Sequence, residues 1–344
     1  VEAAQQNVSR HCRCDGSPMV NLGLTVVNFA TGRSRTGCCS SRSHLGWLQH
    51  KATTSSLLTF WAESACCDHT VSALSFGEYM ISAKVIADSY NPDHGGNRLI
   101  TLQLCYPRLI HSEVMTHRAF SRNASSSRAI PVAKVLAQVR ENPAMPVHWG
   151  ANKPGMQASA EVDDIEHAKH LWLLAAQAAA NSAESMMERG LLVQVANRVL
   201  EPFQWMHTIL SATEFDNFFA LRLHPDADPN IYELAKAMDE AIKSSTPTYL
   251  GYGQWHLPYI TEDESDLPQA QRKMVSAARC ARVSYLTHDG QKPEVEKDLA
   301  LFHRLAGGRP IHASPLEHQA TPSARGWANF RGWQQFRADV EAGL

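Results

Sequence analysis

The sequence predicts an α+β protein, a mixed or antiparallel sheet flanked by long helices. Two observations carry this prediction. Residues Arg98 to Tyr106 alternate apolar and polar side chains, the period of a half-buried strand, just after a second strand-like run and a turn. Residues from about Asp164 to Arg189 instead carry helical patterning between a capping signal and a glycine stop.

The elements follow in chain order. Residues 1–79 are rich in Ser, Thr, Arg and Cys, poor in acids and without sustained periodicity, and the chain begins at Val1. This stretch is expected to be upstream or leader sequence dispensable to the fold, with the domain starting at Met80 and running to Leu344. Ile81 to Ala87 reads as a strand, Asn91 to Gly96 as a turn and Arg98 to Tyr106 as the second arm of a hairpin. Pro107 ends that arm, and a short helix is expected over Ile110 to Arg118, feeding an irregular loop. In the long helix, Asp163 with Glu166 forms a capping pair, Gly190 terminates, and Ala175, Ala176, Ala179 and Ala183 permit close packing. Further helices are expected over Val193–Asn197, Phe203–Leu223, Asn230–Ile242 and Val295–Leu305, and a strand over Cys280–Leu286.

Composition narrows the function. A net charge of −2 argues against a general nucleic-acid binder. Leu171 to Ala180 is the nearest approach to a membrane-length apolar run, and it is too short. Cys12, Cys14, Cys38, Cys39, Cys66 and Cys67 have spacings that suit neither a zinc site nor a disulfide framework. His167 and His170 read as an exposed first helical turn, so no metal site is expected. The remaining chain reads as reduced and cytoplasmic, or host-cytoplasmic if the source is viral.

The richest chemistry lies in Thr116 to Arg128. It holds His117, Asn123, the arginines Arg118, Arg122 and Arg128, four serines and no acid. Arginine offers a fixed fork of donors to phosphate oxygens, and successive serines in a turn can form an anion nest. This segment resembles the signature of flavin-dependent thymidylate synthases: Arg-His-Arg, seven residues, then Ser, with an Asn and a final Arg. His117, Arg118, Asn123, Ser126 and Arg128 match, whereas Thr116, Ala124 and Ala129 depart from it. Glu113 stands where a nucleotide-binding Gln is usual, and Gln335 or Arg337 are candidates to replace that Gln in space.

Three further segments resemble the same family. Arg198-Val-Leu-Glu-Pro202 is similar to its phosphate-reaching segment, and Asn217 with Arg222 to its Asn…Leu-Arg segment. His312-Ala-Ser-Pro-Leu-Glu-His318, preceded by Ala281-Arg-Val-Ser-Tyr285, resembles a motif that usual members carry before the signature loop. The order is therefore that of a circular permutation, which is tolerated when the original termini are close. The likeness is nearest to longer, phage-type members with Thr-His-Arg.

The resemblance implies a homotetramer with sites between subunits, converting dUMP to dTMP with methylenetetrahydrofolate as carbon source, FAD as cofactor and NADPH as reductant. It assigns Arg222 to catalysis and Ser125, Ser126, Ser127, Arg128 and Arg198 to the nucleotide. It assigns His117, Arg118, Asn123, Asn217, His312 and Ser314 to FAD. A cationic Arg222 at the pyrimidine edge suits a reaction that needs electron density at C5. Cys105 and Cys280 lie in no convincing site for the cysteine nucleophile of the flavin-free enzymes. A flavin-dependent pyrimidine hydroxymethylase and a non-catalytic nucleotide- or RNA-binding homologue are the alternatives.

Overall fold

The computed structural model describes residues 80–94, 97–155, 157, 160–283, 294–308 and 310–343. The expected leader over residues 1–79 lies outside them, as do Ser284, Tyr285 and Leu286 of the strand expected over Cys280–Leu286.

The predicted hairpin is present. Strand β1 (Ser82–Tyr90) pairs antiparallel with β2 (Leu99–Pro107), with a bulge between Val85 and Ala87. A short helix, α1 (His111–Thr116), follows, two residues shorter at its end than expected. Ser121–Ala124, expected to be irregular, is strand β3. Helix α2 (Val132–Glu141) begins right after Pro131, a start signal the sequence reading did not use. Helix α3 (Ile165–Glu188) confirms the long helix, but its cap is Asp164, not Asp163: the Asp164 carboxylate accepts from the His167 N–H at 2.9 Å. Gly190 ends it at φ +73°, a conformation that suits glycine. Helix α4 (Val193–Ala196) runs into a 3-10 stretch over Asn197–Phe203.

The largest correction concerns residues 203–223. The expected single helix is strand β4 (Trp205–Ala212) followed by helix α5 (Asp216–Arg222). β4 lies between β2 and β3 in the sheet and is packed on both faces, Leu210 in the main core cluster and Ile209 against Cys280 and Val283, so Thr208 to Ala212 are all buried. A strand buried on both faces loses the alternation that would distinguish it from a helix. Then come α6 (Pro229–Lys243), β5 (Thr248–Tyr249), α7 (Gln269–Arg282) and α8 (Val295–Ala306). Cys280–Arg282, expected as strand, is the last turn of α7. A small hairpin, β6 (Ala320–Pro322) with β7 (Trp333–Gln335), and helix α9 (Phe336–Glu341) close the chain.

The main sheet has the order β3-β4-β2-β1-β5, antiparallel except for the β1–β5 pair. Even-numbered β2 residues (Ile100, Leu102, Leu104, Tyr106) pack with Met206, Leu210, Phe218 and the α6 residues Ile231, Leu234 and Met238. Each such buried side chain contributes about 1.5–3 kcal/mol relative to exposure. A second cluster joins α2 to the Ala176, Ala180 and Ala183 stripe of α3, the close packing expected from small residues. No helix among the described residues is long and apolar enough to cross a membrane.

The opposite face of the sheet holds a buried polar chain. Ser89 Oγ meets His256 Nδ1 at 2.9 Å, and His256 Nε2 meets Thr101 Oγ1 at 2.8 Å. Thr101 Oγ1 meets Ser211 Oγ at 2.6 Å, and Ser211 Oγ meets His318 Nδ1 at 2.8 Å. Loss of solvation on burial pushes both imidazoles down to about 3, so they stay neutral in the folded state. Unfolded histidines titrate near 6.5, so the unfolded chain takes up these protons first. Stability is therefore complete above about pH 6.5 and falls as pH drops toward about 3, by roughly 1.4 kcal/mol per histidine per pH unit. Glu264, held down to about 2 mainly by its hydrogen bonds from Arg279, adds a further loss below its unfolded range near 4.3. Urea midpoints at pH 7, 6 and 5 should fall steadily; a flat series would show that the two imidazoles are not buried as neutral groups.

Candidate active site

The signature residues are positioned by the end of α1 and by β3. His117 caps α1 with extended backbone and is buried. Its ring packs edge-on against Phe218 of α5, with centroids 4.9 Å apart, and beside Phe120 at 5.9 Å. That aromatic packing ties α5 to the signature segment and carries Arg222, one turn beyond Phe218, over the same ring.

Arg222 Nε donates to His117 Nε2 at 3.1 Å, and Arg222 Nη1 donates to Glu113 Oε2 at 3.0 Å. The imidazole accepts at Nε2 and is therefore the neutral Nδ1–H tautomer. Burial first, then the neighbouring Arg222 and Arg122 charges, push the His117 pKa down, consistent with that state. Arg222 is only about one-fifth exposed. A cleft of about 240 Å³ opens beside this group, lined by His117, Arg118, Phe120, Glu214, Asp216 and Asn217 among others. Arg118 and Asn217 are exposed in it, and the Glu214 carboxylate is engaged by Arg331 at 2.7 Å. A larger hollow of about 430 Å³ on α3, lined by Asn181, Ser185 and Arg189, contains none of the signature residues.

A second group forms at the N-terminal end of β4. The Ser125 N–H donates to the His207 carbonyl at 2.8 Å, and Asn197 Nδ2 donates to the Ser127 and Ile130 carbonyls at 2.8 and 3.0 Å. Asn197 thus fixes the serine turn beside its own neighbour, Arg198. Ser125 and Ser127 are buried, Ser126 is half-buried and Arg128 is exposed. Arg198 Nη1 donates to Glu201 Oε1 at 2.9 Å, and Arg108 Nη2 donates to the same oxygen at 2.7 Å. Arg108 was missed by the sequence reading. Its position directly after Pro107, at the end of a strand, was the available signal.

A third group joins the signature to the C-terminal motif. Ser314 Oγ donates to Asn123 Oδ1 at 3.3 Å, while Asn123 Nδ2 donates to the Cys280 carbonyl at 2.6 Å. Segments almost two hundred residues apart therefore meet. His312 is exposed beside Ser314. The segment ends in His318, whose buried Nε2 has no hydrogen-bond partner among the described residues. Gln335 donates to Ser121 Oγ and the Glu317 carbonyl, and Arg337 pairs with Glu317 and Glu341. Both serve this third group rather than the neighbourhood of Glu113.

The two described cysteines are chemically quiet. Burial pushes the Cys105 thiol up to about 12, and the fully buried Cys280 thiol is also pushed up. Neither offers a thiolate near neutral pH.

Among the solved structures that resemble parts of the chain are two of one enzyme. One is the UMP/dUMP methylase PolB from Streptomyces cacaoi bound with 5-Br UMP, at 16% identity and a TM-score of 0.39, covering 48% of this chain and 89% of that one. The other is the same methylase bound with 5-Br dUMP, at 19% identity and a TM-score of 0.35, covering 42% of this chain and 66% of that one. The sequence matches no curated protein. Residues 98–248, the span that holds His117, Arg118, Asn123, Arg198 and Arg222, match the family model of the thymidylate synthase complementing protein.

Proposed function

We propose that the protein methylates a pyrimidine nucleotide at C5, converting dUMP to dTMP with methylenetetrahydrofolate, FAD and NADPH. The observation that carries this reading is the Arg222–His117 contact, which brings a guanidinium from α5 onto the signature segment beside a cleft. Arg222 is held by a neutral imidazole and keeps donors for a ring carbonyl. Negative charge that develops at N3 and its neighbouring oxygens is stabilised there, and electron density at C5 rises. Arg128, Arg198 and the Ser125–Ser127 turn bind the phosphate, with charge-assisted hydrogen bonds each contributing about 1.5–3 kcal/mol.

The donor set suits a flavin. Arg118 and Asn217 face the cleft, His312 and Ser314 stand exposed beside Asn123, and His318 Nε2 is a buried polar atom without a protein partner. His117, Arg118, Asn123, Asn217, His312 and Ser314 would hold FAD. When bound, the flavin supplies the hydride chemistry that reduces the transferred carbon, while the protein binds and orients. Exposed Leu171, Leu174, Met187, Leu191, Leu192 and Val195 on α3 and its continuation support a homo-oligomer, with a tetramer as the proposed state.

Purified protein is expected to take up FAD and show a flavin spectrum, and His312→Ala should weaken binding about tenfold, the loss of one good hydrogen bond. Protein that remains colourless with added FAD would remove the flavin reading. Mass analysis of the nucleotide product then separates a methyl from a hydroxymethyl group.

A further inference from the structure

Arg222, which touches the cleft-lining His117, is not a lone cation beside the cleft. Glu113 Oε2 accepts from Arg222 Nη1 at 3.0 Å, and the Glu113 side chain is a little over one-third exposed. Of the five N–H donors of a guanidinium, two engage His117 and Glu113, leaving three on the Nη side among the described residues. Glu113 Oε1 has no protein partner among the described residues. The exposed edge therefore reads, in order, acceptor from Glu113 and then donors from Arg222. A carboxylate carries no N–H, so Glu113 cannot act as a donor there, as a glutamine amide would.

We propose that Glu113 determines base specificity at this edge and widens the substrate class to cytosine nucleotides. This rests on the reading that the pyrimidine binds against the Arg222 side chain, beside the cleft that His117 lines. The cytosine edge presents a 4-amino donor, then the N3 and O2 acceptors, and each faces its complement on the Glu113–Arg222 pair. Uracil presents an acceptor, a donor and an acceptor. When its N3–H meets Glu113, a carbonyl oxygen is left against the carboxylate. Glu113 also offsets the charge of Arg222, which weakens the site's advantage for a uracil ring that must become anionic at N3. Unpaired polar groups at such an edge discriminate strongly, because a buried mismatch forfeits the full desolvation of the group.

The test is calorimetric titration of the full chain with dCMP and with dUMP, for the wild type and for Glu113→Gln. The wild type is expected to bind dCMP at least as tightly as dUMP, and Glu113→Gln is expected to shift the dCMP:dUMP affinity ratio at least tenfold toward dUMP. Glu113→Asp, which keeps the acceptor, should retain most of the wild-type ratio and stands in if the glutamine variant does not fold. A wild type that binds dUMP alone, or a ratio unchanged in Glu113→Gln, overturns the role of Glu113 and leaves the nucleotide site standing. Failure of both nucleotides to bind overturns the site reading and this proposal together.

Discussion

Replacing Asp298 with alanine should cost about 3–5 kcal/mol, a large part of the roughly 5–15 kcal/mol that holds a typical domain folded. Asp298 is completely buried on α8. Its carboxylate accepts from Arg279 Nε at 2.8 Å and from Arg282 Nε at 2.7 Å, both on α7. Arg279 is itself buried and also pairs with Glu264, while its Nη1 donates to the Tyr259 carbonyl at 2.7 Å. Removing the carboxylate leaves a buried guanidinium partly uncompensated, and that residual charge, more than the lost attraction, sets the cost. Asp298→Asn keeps the volume and one acceptor oxygen and should cost less. Urea unfolding of both variants checks this: a loss below about 1 kcal/mol in Asp298→Ala would mean that the cluster is solvated and contributes as a surface pair does. Arg282 belongs to the Ala-Arg-Val-Ser segment that the family resemblance ties to the site. Its pairing with Asp298 gives this arginine a structural duty in holding α7 against α8.

Legibility of the fold in the sequence depended on how many faces of each element are covered. The β1–β2 hairpin was readable because its first strand keeps a half-exposed alternation and its turn carries Asn91-Pro92-Asp93. α3 was readable from its small-residue stripe and its flanking acidic and glycine signals, and α6 as a helix, although the caps themselves, Asp164 and Asp228, were not read; Asp228 accepts from the Asn230 and Ile231 N–H groups. β4 was not readable: its run from Thr208 to Ala212 is buried throughout, and no Gly or Pro separates it from α5. At α7 the β-branched and aromatic residues after Cys280 suggested a strand, yet Val275 to Ala281 are nearly all buried by α8 and the sheet, and tertiary packing decided for helix. For the site, residue types and motif spacing named the groups, and the Asn123–Ser314 and Arg222–His117 contacts join segments that spacing alone could not bring together. The counter-ions were invisible in sequence. That Glu113 meets Arg222, and that Glu201 is shared by Arg198 and Arg108, follows only from how α1, α5 and the turn before β4 pack.

Arg222→Lys is the substitution expected to affect catalysis most. Lysine keeps one positive charge but loses the planar fork. A single ammonium on a flexible stem cannot hold the His117 Nε2 contact and the Glu113 contact in the geometry that Arg222 uses and still present donors to a ring edge. Under the proposed mechanism the nucleotide-dependent methylation rate should fall by on the order of a hundredfold or more, the effect of losing one oriented charge-stabilising donor. Flavin binding should change little, because the FAD-facing candidates Arg118, Asn217, His312 and Ser314 are left in place. Thermal stability should also hold nearly constant, since the Glu113 partner is over one-third exposed and such pairs contribute about 0–1 kcal/mol. If Arg222 instead serves only to pin α5 to α1, the order reverses: the melting temperature drops, and turnover per folded site persists. Both quantities are to be measured on one preparation. Unchanged turnover per folded, flavin-loaded site would take Arg222 out of the mechanism, whereas a hundredfold loss at unchanged melting temperature would place its guanidinium at the reacting ring.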